Sequence, residues 1–381
     1  MIYLDNSATT KPYPEVLHVY QQVSERFFGN PSSLHQLGID ANRLLSETRK
    51  QMLQYVGLKQ HEIIFTSGAT EANNIAIKGA ALAKMNRGKH IVTSTIEHPS
   101  VIESFKQLKA LFGFDISYIH VNKHGHVDLT SLKEVLRPDT VLVSIMHVNN
   151  ETGAIQPIEE AGKIIREYAK NALFHVDGVQ GMGKVELNKQ QIDIDLLTMS
   201  GHKIHGLKGT GALFFKKGTV LTPLFTGGEQ EFGIRSGTEN PAGAVSLVKA
   251  VKQSFEKLEK HRNEMLLLKT KLLDQLAEID GVIINTPNMQ SAPHIVNFSV
   301  PGIQIEVLLH MLEEEGIFVS TTSACSAKKK EPSRVLLAMG KSEEVAKSSM
   351  RISLTYGQGP ELVSHVITSI TQSVKKLKGM R

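Results

Sequence analysis

The single cysteine of this 381-residue chain, Cys325, is the first candidate for chemistry. It lies in the run Thr-Thr-Ser-Ala-Cys-Ser-Ala, whose small residues follow the apolar stretch Ile317–Val319 and indicate a loop. A structural cysteine is expected inside an apolar run, so this position favours a reactive thiol over inert packing. The basic triplet Lys328–Lys330 nearby favours the thiolate form of Cys325.

A second candidate is the segment Ser67–Thr70, which follows an apolar run and leads into a helix that begins near Glu71. Its small residues allow the backbone to approach a ligand closely. The N-terminus of the helix offers unpaired N–H groups and the positive end of the helix dipole to an anion such as a phosphate. A capped turn without a ligand is the alternative interpretation.

Two charged residues complete the pattern. Asp177 ends an apolar strand, where its carboxylate needs a cationic partner, such as a protonated pyridine nitrogen, or the hydrogen bonds of a capped turn. Lys203 lies in a loop rich in Gly and His between two apolar strands, where burial lowers the pKa of a lysine and prepares it for Schiff-base formation. A single lysine is by default a surface residue. Here, however, the candidate anion cradle Ser67–Thr70, Asp177 and Lys203 follow consecutive segments of the predicted sheet, which favours one common site.

The elements that must position these residues alternate between short apolar runs and amphipathic stretches from about residue 60 to 215, which is typical of βα units around a mostly parallel sheet. Ligands bind at the carboxyl ends of such strands. The predicted strands are Glu62–Phe65, His90–Ser94, Asp115–His120, Val141–His147, Leu173–Val176, Leu196–Met199 and Gly211–Phe215. The predicted helices are Glu71–Met85, Pro99–Phe112 and Ile158–Ala169.

The second half of the chain predicts a different arrangement. A long helix, Gly243–Ala277, follows the start signal Asn240-Pro241. The strands predicted after it are Val282–Asn285, His294–Ser299 and Met350–Ser353. The helices predicted after it are Glu306–Glu315 and a closing helix from Pro360 onward. We expect an α/β protein with a large domain of residues 15–255 and a smaller α+β domain of residues 1–14 and 256–381 that carries Cys325.

Composition excludes several classes of function. The 43 basic and 38 acidic residues give a net charge of +5 but are interspersed, which favours a solvated surface over a nucleic-acid face. Lys328–Lys330 and the tail Lys375–Arg381 are exceptions that indicate partner-facing surfaces. The start MIYLDNSATT lacks the features of a signal peptide, and no run reaches the length of a membrane span. We expect a cytoplasmic protein that binds neither membranes nor nucleic acid directly.

Motifs along nearly the whole chain resemble those of the cysteine desulfurases, which belong to the aminotransferase class V group of fold-type I pyridoxal 5'-phosphate (PLP) enzymes. The motifs follow the family's order. They are YLDNSATT at Tyr3, NPSS at Asn30, TSGATE at Thr66, EHPS at Glu97, NNETG at Asn149, HVDGVQ at His175, SGHKIHGLKG at Ser200, RSGTEN at Arg235, SAC at Ser323, EPS at Glu331 and MRISL at Met350.

The resemblance implies a role for individual residues. Lys203 would hold PLP as a Schiff base, Asp177 would pair with its pyridine nitrogen, and His98 would lie over its ring. Arg351, with Asn149, would bind the substrate carboxylate. The remaining cofactor contacts would come from Ala69, Thr70, Asn149, Gln180, Ser200, His202 and, from the other subunit of a homodimer, Thr238. The resemblance implies no metal.

The implied reaction converts L-cysteine to L-alanine and leaves the sulfur on Cys325 as a persulfide, with Lys203 and His98 moving protons. The six-residue step from Cys325 to Glu331 resembles the group of the family that serves iron–sulfur assembly and tRNA thiolation. That group usually has small or uncharged residues where this chain has Lys328–Lys330, which leaves the identity of the sulfur acceptor open.

Two alternatives come from different functional classes. A selenocysteine lyase or another class V transaminase or lyase would share Lys203 and Asp177 but need not present the thiol of Cys325. A non-catalytic scaffold that docks sulfur acceptors would have no reason to keep Lys203, Asp177 and Arg351 together. The resemblance therefore favours the desulfurase.

Overall fold

The computed structural model describes residues 1–186, 193–321 and 331–379. Among these residues, no helix combines the length and the apolar character that crossing a membrane requires. In chain order the elements are β1 (Ile2–Tyr3), α1 (Pro14–Arg26), α2 (Gln36–Val56), β2 (His61–Thr66), α3 (Ala69–Lys84), β3 (His90–Ser94), α4 (Pro99–Phe112), β4 (Asp115–Ile119), α5 (Leu129–Val135), β5 (Thr140–Met146), α6 (Ile158–Tyr168), β6 (Leu173–Asp177), β7 (Leu196–Ser200), β8 (Gly211–Lys216), α7 (Pro241–Ala277), β9 (Ile283–Ile284), β10 (Ile295–Ser299), α8 (Ile305–Glu314), β11 (Ile317–Phe318), β12 (Ser320–Thr321), α9 (Arg334–Ala338), α10 (Glu343–Lys347), β13 (Ser349–Ser353) and α11 (Glu361–Gly379).

A seven-stranded sheet dominates the fold, in the order β2-β8-β7-β6-β5-β3-β4. All its neighbouring strands pair in parallel except β8, which runs antiparallel to both β2 and β7. The predicted mostly parallel seven-stranded sheet is therefore confirmed. β6 and β7 are adjacent, so the segments that follow them meet at one edge of the sheet.

Helices cover both faces of this sheet, and successive residues of a strand enter opposite cores. Ile91 packs with α3 and α4, whereas Val92 packs with α1, α2, α6 and the first half of α7. Leu142 and Val143 divide in the same way. Strands with two covered faces are expected to be continuous apolar runs, as these are.

The helix α7 passes through two hydrophobic cores. It begins where the Asn240 side chain accepts a hydrogen bond from the backbone N–H of Gly243, with a proline in its first turn. Leu247 and Val251 belong to the core of the large sheet, whereas Leu268 and Leu272 belong to a second core with β10, β13, α8 and α11. The predicted boundary between residues 255 and 256 falls within this helix, and the division into domains stays a prediction.

The second core covers a four-stranded antiparallel sheet in the order β12-β13-β10-β9. The N-terminus joins it, because β1 pairs with β11 and the backbone of Leu4 bonds with those of Phe318 and Ser353. The following residues, Ser7 and Ala8, are thereby held beside the polar edge of the large sheet. The long-range link explains why the first residues carry a family motif.

Candidate active site

A cleft of about 570 Å³ lies at the carboxyl ends of β2, β6 and β7. Strands β12 and β13 of the smaller sheet close its other side, through Ser320, Thr321 and Arg351. The position is the one expected for a ligand site in an open α/β sheet. Nine of the predicted site residues line it: Ala69, Thr70, His98, Asp177, Gln180, Ser200, His202, Lys203 and Arg351.

Lys203 enters the cleft from a single helical turn, Gly201–Lys203, directly after β7. Its Nζ donates hydrogen bonds to the carbonyl oxygens of Ser7 (2.6 Å) and Ala8 (2.8 Å). The turn is held in place because the N–H and the hydroxyl of Thr10 both donate to the carbonyl of His202, at 2.8 and 2.9 Å. The N-terminal segment therefore orients the amine.

Asp177 and His98 belong to one hydrogen-bonded network. The Asp177 carboxylate accepts from the Nδ2 of Asn73 (2.9 Å) and the N–H of Val179 (3.0 Å). Asn73 Nδ2 also donates to the hydroxyl of Ser100 (2.9 Å), which lies 2.9 Å from the Nδ1 of His98. Burial lowers the pKa of His98, although the Asp177 charge opposes this effect. His98 is therefore a neutral imidazole, able to take up or give a proton.

Sequence reasoning missed Asn73 and Ser100. Asn73 is fully buried in the otherwise apolar inner face of α3, where Ile75, Ala76 and Ile77 enter the cores. Buried polar side chains are found where they have partners, so a lone Asn at this position is a usable signal for a site.

The start of α3 is suited to bind an anion, as predicted for Ala69 and Thr70. The residue before the helix is Gly68, which has no side chain to cap the first N–H groups, so these remain for a ligand. The backbone is crowded there, since a Cβ at Gly211 of β8 would come within 2.6 Å of the Gly68 Cα. Ser200 and His202 face the same part of the cleft. Burial, with a contribution from the Lys203 charge, lowers the pKa of His202 to about 4.

Thr238 does not line this cleft within its own chain. It is exposed and borders a neighbouring depression together with Ser67 and Gly209, two residues that also border the cleft. Arg235, on the same segment, bonds through Nε to the carboxylate of Glu71 in the first turn of α3 (2.8 Å). The Thr238 segment is thus tied to the start of α3 in its own chain, while Thr238 itself is exposed.

Arg351 supplies a cation on the opposite side of the cleft. Its NH1 donates to the carbonyl oxygen of Asn150 (2.8 Å), and its NH2 forms an ion pair with Asp5 (2.9 Å). Only 8% of the Arg351 side chain is exposed. A guanidinium held at two edges in this way can receive a carboxylate in a defined orientation.

Asn149 is a turn residue beside the cleft, and its predicted contacts with the cofactor and the substrate stay a prediction. Asn149 is fully buried, and its Oδ1 accepts from the N–H groups of Glu151 and Thr152, both at 2.9 Å. Its Nδ2 points to the carbonyl of Ile96 at 3.3 Å. The Asn149 side chain thus orders the turn in this structure. The next residue, Asn150, lines the cleft.

The polar atoms of the cleft fit PLP. Buried Ser7 Oγ, Gln180 Oε1 and Arg351 Nε have no hydrogen-bond partner among the described residues. Buried polar atoms without partners are rare and point to a missing ligand or water. An amine, a carboxylate and a helix N-terminus surround the same space, which suits a ligand with an aldehyde, a pyridine nitrogen and a phosphate. The described residues contain no cluster of His, Cys, Asp and Glu that could hold a metal.

Cys325 and Lys328–Lys330 lie outside the described residues. The chain on either side of them is attached to the cleft. Thr321 lines it before the gap, and after the gap the Ser333 hydroxyl donates to the carboxylate of Glu151, the neighbour of Asn150.

Behind His98 lies Glu97, whose pKa is raised to about 8 by burial. Its Oε1 accepts from Ser94 Oγ (2.5 Å) and from the N–H of Met146 (2.9 Å), and its Oε2 has no partner among the described residues. The folded protein therefore keeps a proton on Glu97 at neutral pH, whereas the unfolded chain loses it near the ordinary value of 4.5. Stability is lost as pH rises between these two values.

We expect Glu97→Gln to remove this loss, because glutamine carries no titrating proton. The melting temperature of the variant, relative to the parent, should be higher at pH 8 than at pH 5. Glu103→Gln is the matched control, since Glu103 is exposed on α4. An identical pH dependence in the Glu97→Gln variant and the parent would show that Glu97 is ionised in the folded protein.

Comparisons with known proteins agree over the full length. The family described as aminotransferase class-V matches residues 2–365. The putative cysteine desulfurase IscS 1 of Bacillus subtilis is 42% identical over 381 residues, covering 99% of this chain and 99% of the relative. The cysteine desulfurase IscS of Dictyoglomus turgidum is 40% identical over 378 residues, covering 99% and 95%. A solved structure of a NifS-like protein superposes with a TM-score of 0.91 at 36% identity, covering 99% of this chain and 100% of the other.

The family match and these relatives confirm the predicted fold-type I architecture and the PLP dependence. The chain belongs to the aminotransferase class-V family, in which it is a PLP-dependent cysteine desulfurase.

Proposed function

We propose that this enzyme passes the sulfur of L-cysteine, through a persulfide on Cys325, to acceptor proteins of iron–sulfur assembly or tRNA thiolation. The observation that carries the proposal is the cleft itself, which Lys203, Arg351 and Thr321 line, and Thr321 precedes Cys325 by four residues in the sequence. A thiol able to reach the substrate bound there would separate sulfur transfer from simple lyase chemistry. Selenocysteine lyase activity is the alternative.

Each cleft residue has a proposed task. Arg351 binds the carboxylate of cysteine, and Asn150 contributes the carbonyl that holds the guanidinium in place. Lys203 binds PLP and takes the proton from the substrate Cα. When bound, PLP supplies an electron sink for the charge that develops at that carbon. His98, neutral at pH 7, moves protons above the ring.

The cofactor is proposed to be held at three places. Asp177, positioned by Asn73, receives the pyridine N–H, and Gln180 bonds to the ring edge. The phosphate is bound by the N–H groups of Ala69 and Thr70 and by Ser200 and His202.

Sulfur transfer then follows from the chemistry of a thiolate. The Cys325 sulfur attacks the sulfur of the substrate, the Cβ–S bond of cysteine breaks, and the carbon product takes up protons to become alanine. Cysteine and the Cys325 thiol are thereby converted to alanine and the Cys325 persulfide, with no external oxidant. Because the carbon product is alanine, the balance of electrons leaves the transferred sulfur at the oxidation level of a persulfide and not of free sulfide.

The acceptor class is tested by transfer of labelled sulfur. The holoenzyme is loaded with ³⁵S-cysteine and mixed with an iron–sulfur scaffold protein or with a tRNA-thiolation enzyme, and the label on each acceptor is measured. We expect transfer to one of these acceptors to outpace release of sulfide, and Cys325→Ser to abolish it. If sulfide were released at the same rate with and without either acceptor, the proposal would be wrong.

We propose further that the active unit is a homodimer in which Thr238 reaches the phosphate of the partner's cofactor. Support comes from the exposure of Thr238 beside its own cradle, with Arg235 holding the segment in place. Two exposed phenylalanines near this segment also support it, since 49% of Phe225, which pairs with Arg235, and 55% of Phe232 are exposed.

Hybrid dimers provide the test. When Lys203→Ala and Thr238→Ala chains are combined, each hybrid contains one site with both changes and one with neither, if Thr238 acts across the interface. Hybrids should then regain about half of the parent activity. If Thr238 acted within its own chain, each site would carry one change and no parent site would form. A fully active monomer on a sizing column would contradict the dimer.

Two further properties are proposed on the same basis. The large domain would comprise residues 15–255, and the smaller domain residues 1–14 and 256–381, in accord with the two cores that α7 joins. The enzyme would work in the cytoplasm, because a persulfide on a single cysteine survives best where no oxidising machinery forms disulfides.

A further inference from the structure

A small cavity lies behind the Lys203 loop and shares no lining residue with the cleft. Its volume is about 10 Å³, enough for one water-sized particle. Lys184 and His294 line it, together with His205 and Tyr356. Lys184 follows the Asp177 strand, whereas His294 immediately precedes β10, the strand that pairs with β13 and Arg351. The cavity therefore lies between the cofactor side and the substrate side of the enzyme.

Two buried side chains in the cavity have no hydrogen-bond partner among the described residues. They are Lys184, whose Nζ is unpaired, and His294, both of whose ring nitrogens are unpaired. Lys184 is 6% exposed and His294 is 0% exposed. An unpaired buried ammonium is among the most costly groups a protein can contain.

The other donors around the cavity are already used. His205 bonds at one nitrogen with the carbonyl of Lys11 (2.8 Å) and at the other with Thr355 Oγ1 (2.9 Å). The Tyr356 hydroxyl donates to the carbonyl of Gly183 (2.9 Å). Lys184 and His294 are thus the groups left to hold an occupant.

The electrostatic environment favours a negative occupant. No carboxylate is among the residues that line the cavity. The charges that act on Lys184 are those of Lys203 and Arg351, and those that act on His294 are Lys184, Lys269 and Arg351, all of them positive. Arg351 has Asp5 as its own partner. Without an anion in the cavity, burial and the charges of Lys203 and Arg351 lower the pKa of Lys184 to about 7.

We propose that this cavity binds one monovalent inorganic anion of halide size, held by the ammonium of Lys184 and a ring N–H of His294. The anion supplies the missing charge and accepts from both donors. It also joins the segment after Asp177 to the strands that carry Arg351. Because a bound anion favours protonated Lys184, anion binding weakens as pH rises above neutrality.

The test uses holoenzyme crystals soaked in sodium bromide and melting curves of the holoenzyme in solution. We expect an anomalous bromide peak within hydrogen-bond distance of Lys184 Nζ and His294. We also expect the melting temperature to rise to a plateau as chloride is added. Gluconate at the same ionic strength should not produce this rise. Lys184→Met should weaken this chloride dependence about 10-fold or more, through loss of a charge-assisted hydrogen bond.

Lys269→Met is the matched control. Lys269 is also a buried lysine with its pKa lowered to about 7, but its Nζ already donates to Ser291 Oγ (2.6 Å) and the carbonyl of Ala292 (2.7 Å). Its loss should lower stability and, because Lys269 acts on His294 only through its charge, change the chloride dependence far less than Lys184→Met does. A bromide-soaked crystal without an anomalous peak at the cavity would overturn the proposal in favour of a water molecule, as would an unchanged chloride dependence in Lys184→Met.

Discussion

Replacing Lys203 by Ala should lower cysteine turnover by roughly 10³-fold or more, because one side chain both attaches the cofactor and moves the Cα proton. The covalent link is measured separately from activity. Borohydride reduction of the parent holoenzyme should fix PLP to the chain and raise its intact mass, whereas reduced Lys203→Ala should keep the mass of the bare polypeptide. Turnover at the parent rate in this variant would refute the assignment of Lys203.

Lys203→Arg is the control that separates chemistry from charge. Arginine keeps a cation near the carbonyls of Ser7 and Ala8, which accept from Lys203 in the structure, but it forms no Schiff base at neutral pH. We expect it to fold like the parent and to be as inactive as Lys203→Ala. Substantial activity in Lys203→Arg would mean that the position needs only a positive charge.

Replacing Cys325 by Ser should abolish persulfide formation and lower the release of alanine by a comparable factor. The hydroxyl has nearly the volume of the thiol, but its pKa is far higher and it has little affinity for sulfur. The groups that bind PLP and the substrate carboxylate are unchanged. Added L-cysteine should therefore still change the absorbance of the bound cofactor, although the reaction proceeds no further.

The two readouts of Cys325→Ser distinguish the possible failures. Alanine release at the parent rate would show that Cys325 is not the sulfur acceptor and would support the lyase alternative. A variant that no longer binds PLP would show that Cys325 serves the fold. Cys325→Ala, which removes the polar atom as well, should behave like Cys325→Ser.

The large sheet was predictable because its strands are short apolar runs separated by turn residues. The helix Pro99–Phe112 was predicted with its observed bounds, since Pro99 occupies its first position and Gly113 ends it with a positive φ of 69°. The helices α1 and α2 were not predicted. Although α1 begins at Pro14, no side chain caps it at Tyr13, and α2 is capped by His35, which is not one of the usual N-cap residues, with Gly38 in its first turn.

The site was predictable to the level of motifs but not of individual atoms. Asn149 and Asn150 are identical neighbours, and the sequence does not show that the Asn149 side chain accepts hydrogen bonds within the turn while the Asn150 carbonyl accepts from Arg351. Lys184 was not singled out, because a lone lysine in a sequence indicates a surface position. Its burial places it in a cavity with His294 and Tyr356, which lie more than 100 residues away in the sequence, and no local pattern records this proximity.

The central claim is that the sulfur of L-cysteine moves to Cys325 as alanine forms. It is tested most directly by adding one equivalent of L-cysteine to the holoenzyme without reductant and measuring both products. We predict one alanine per active site, a gain of one sulfur atom in the intact mass, and the location of that sulfur on the peptide that contains Cys325. Alanine formed without added mass on that peptide would contradict the account.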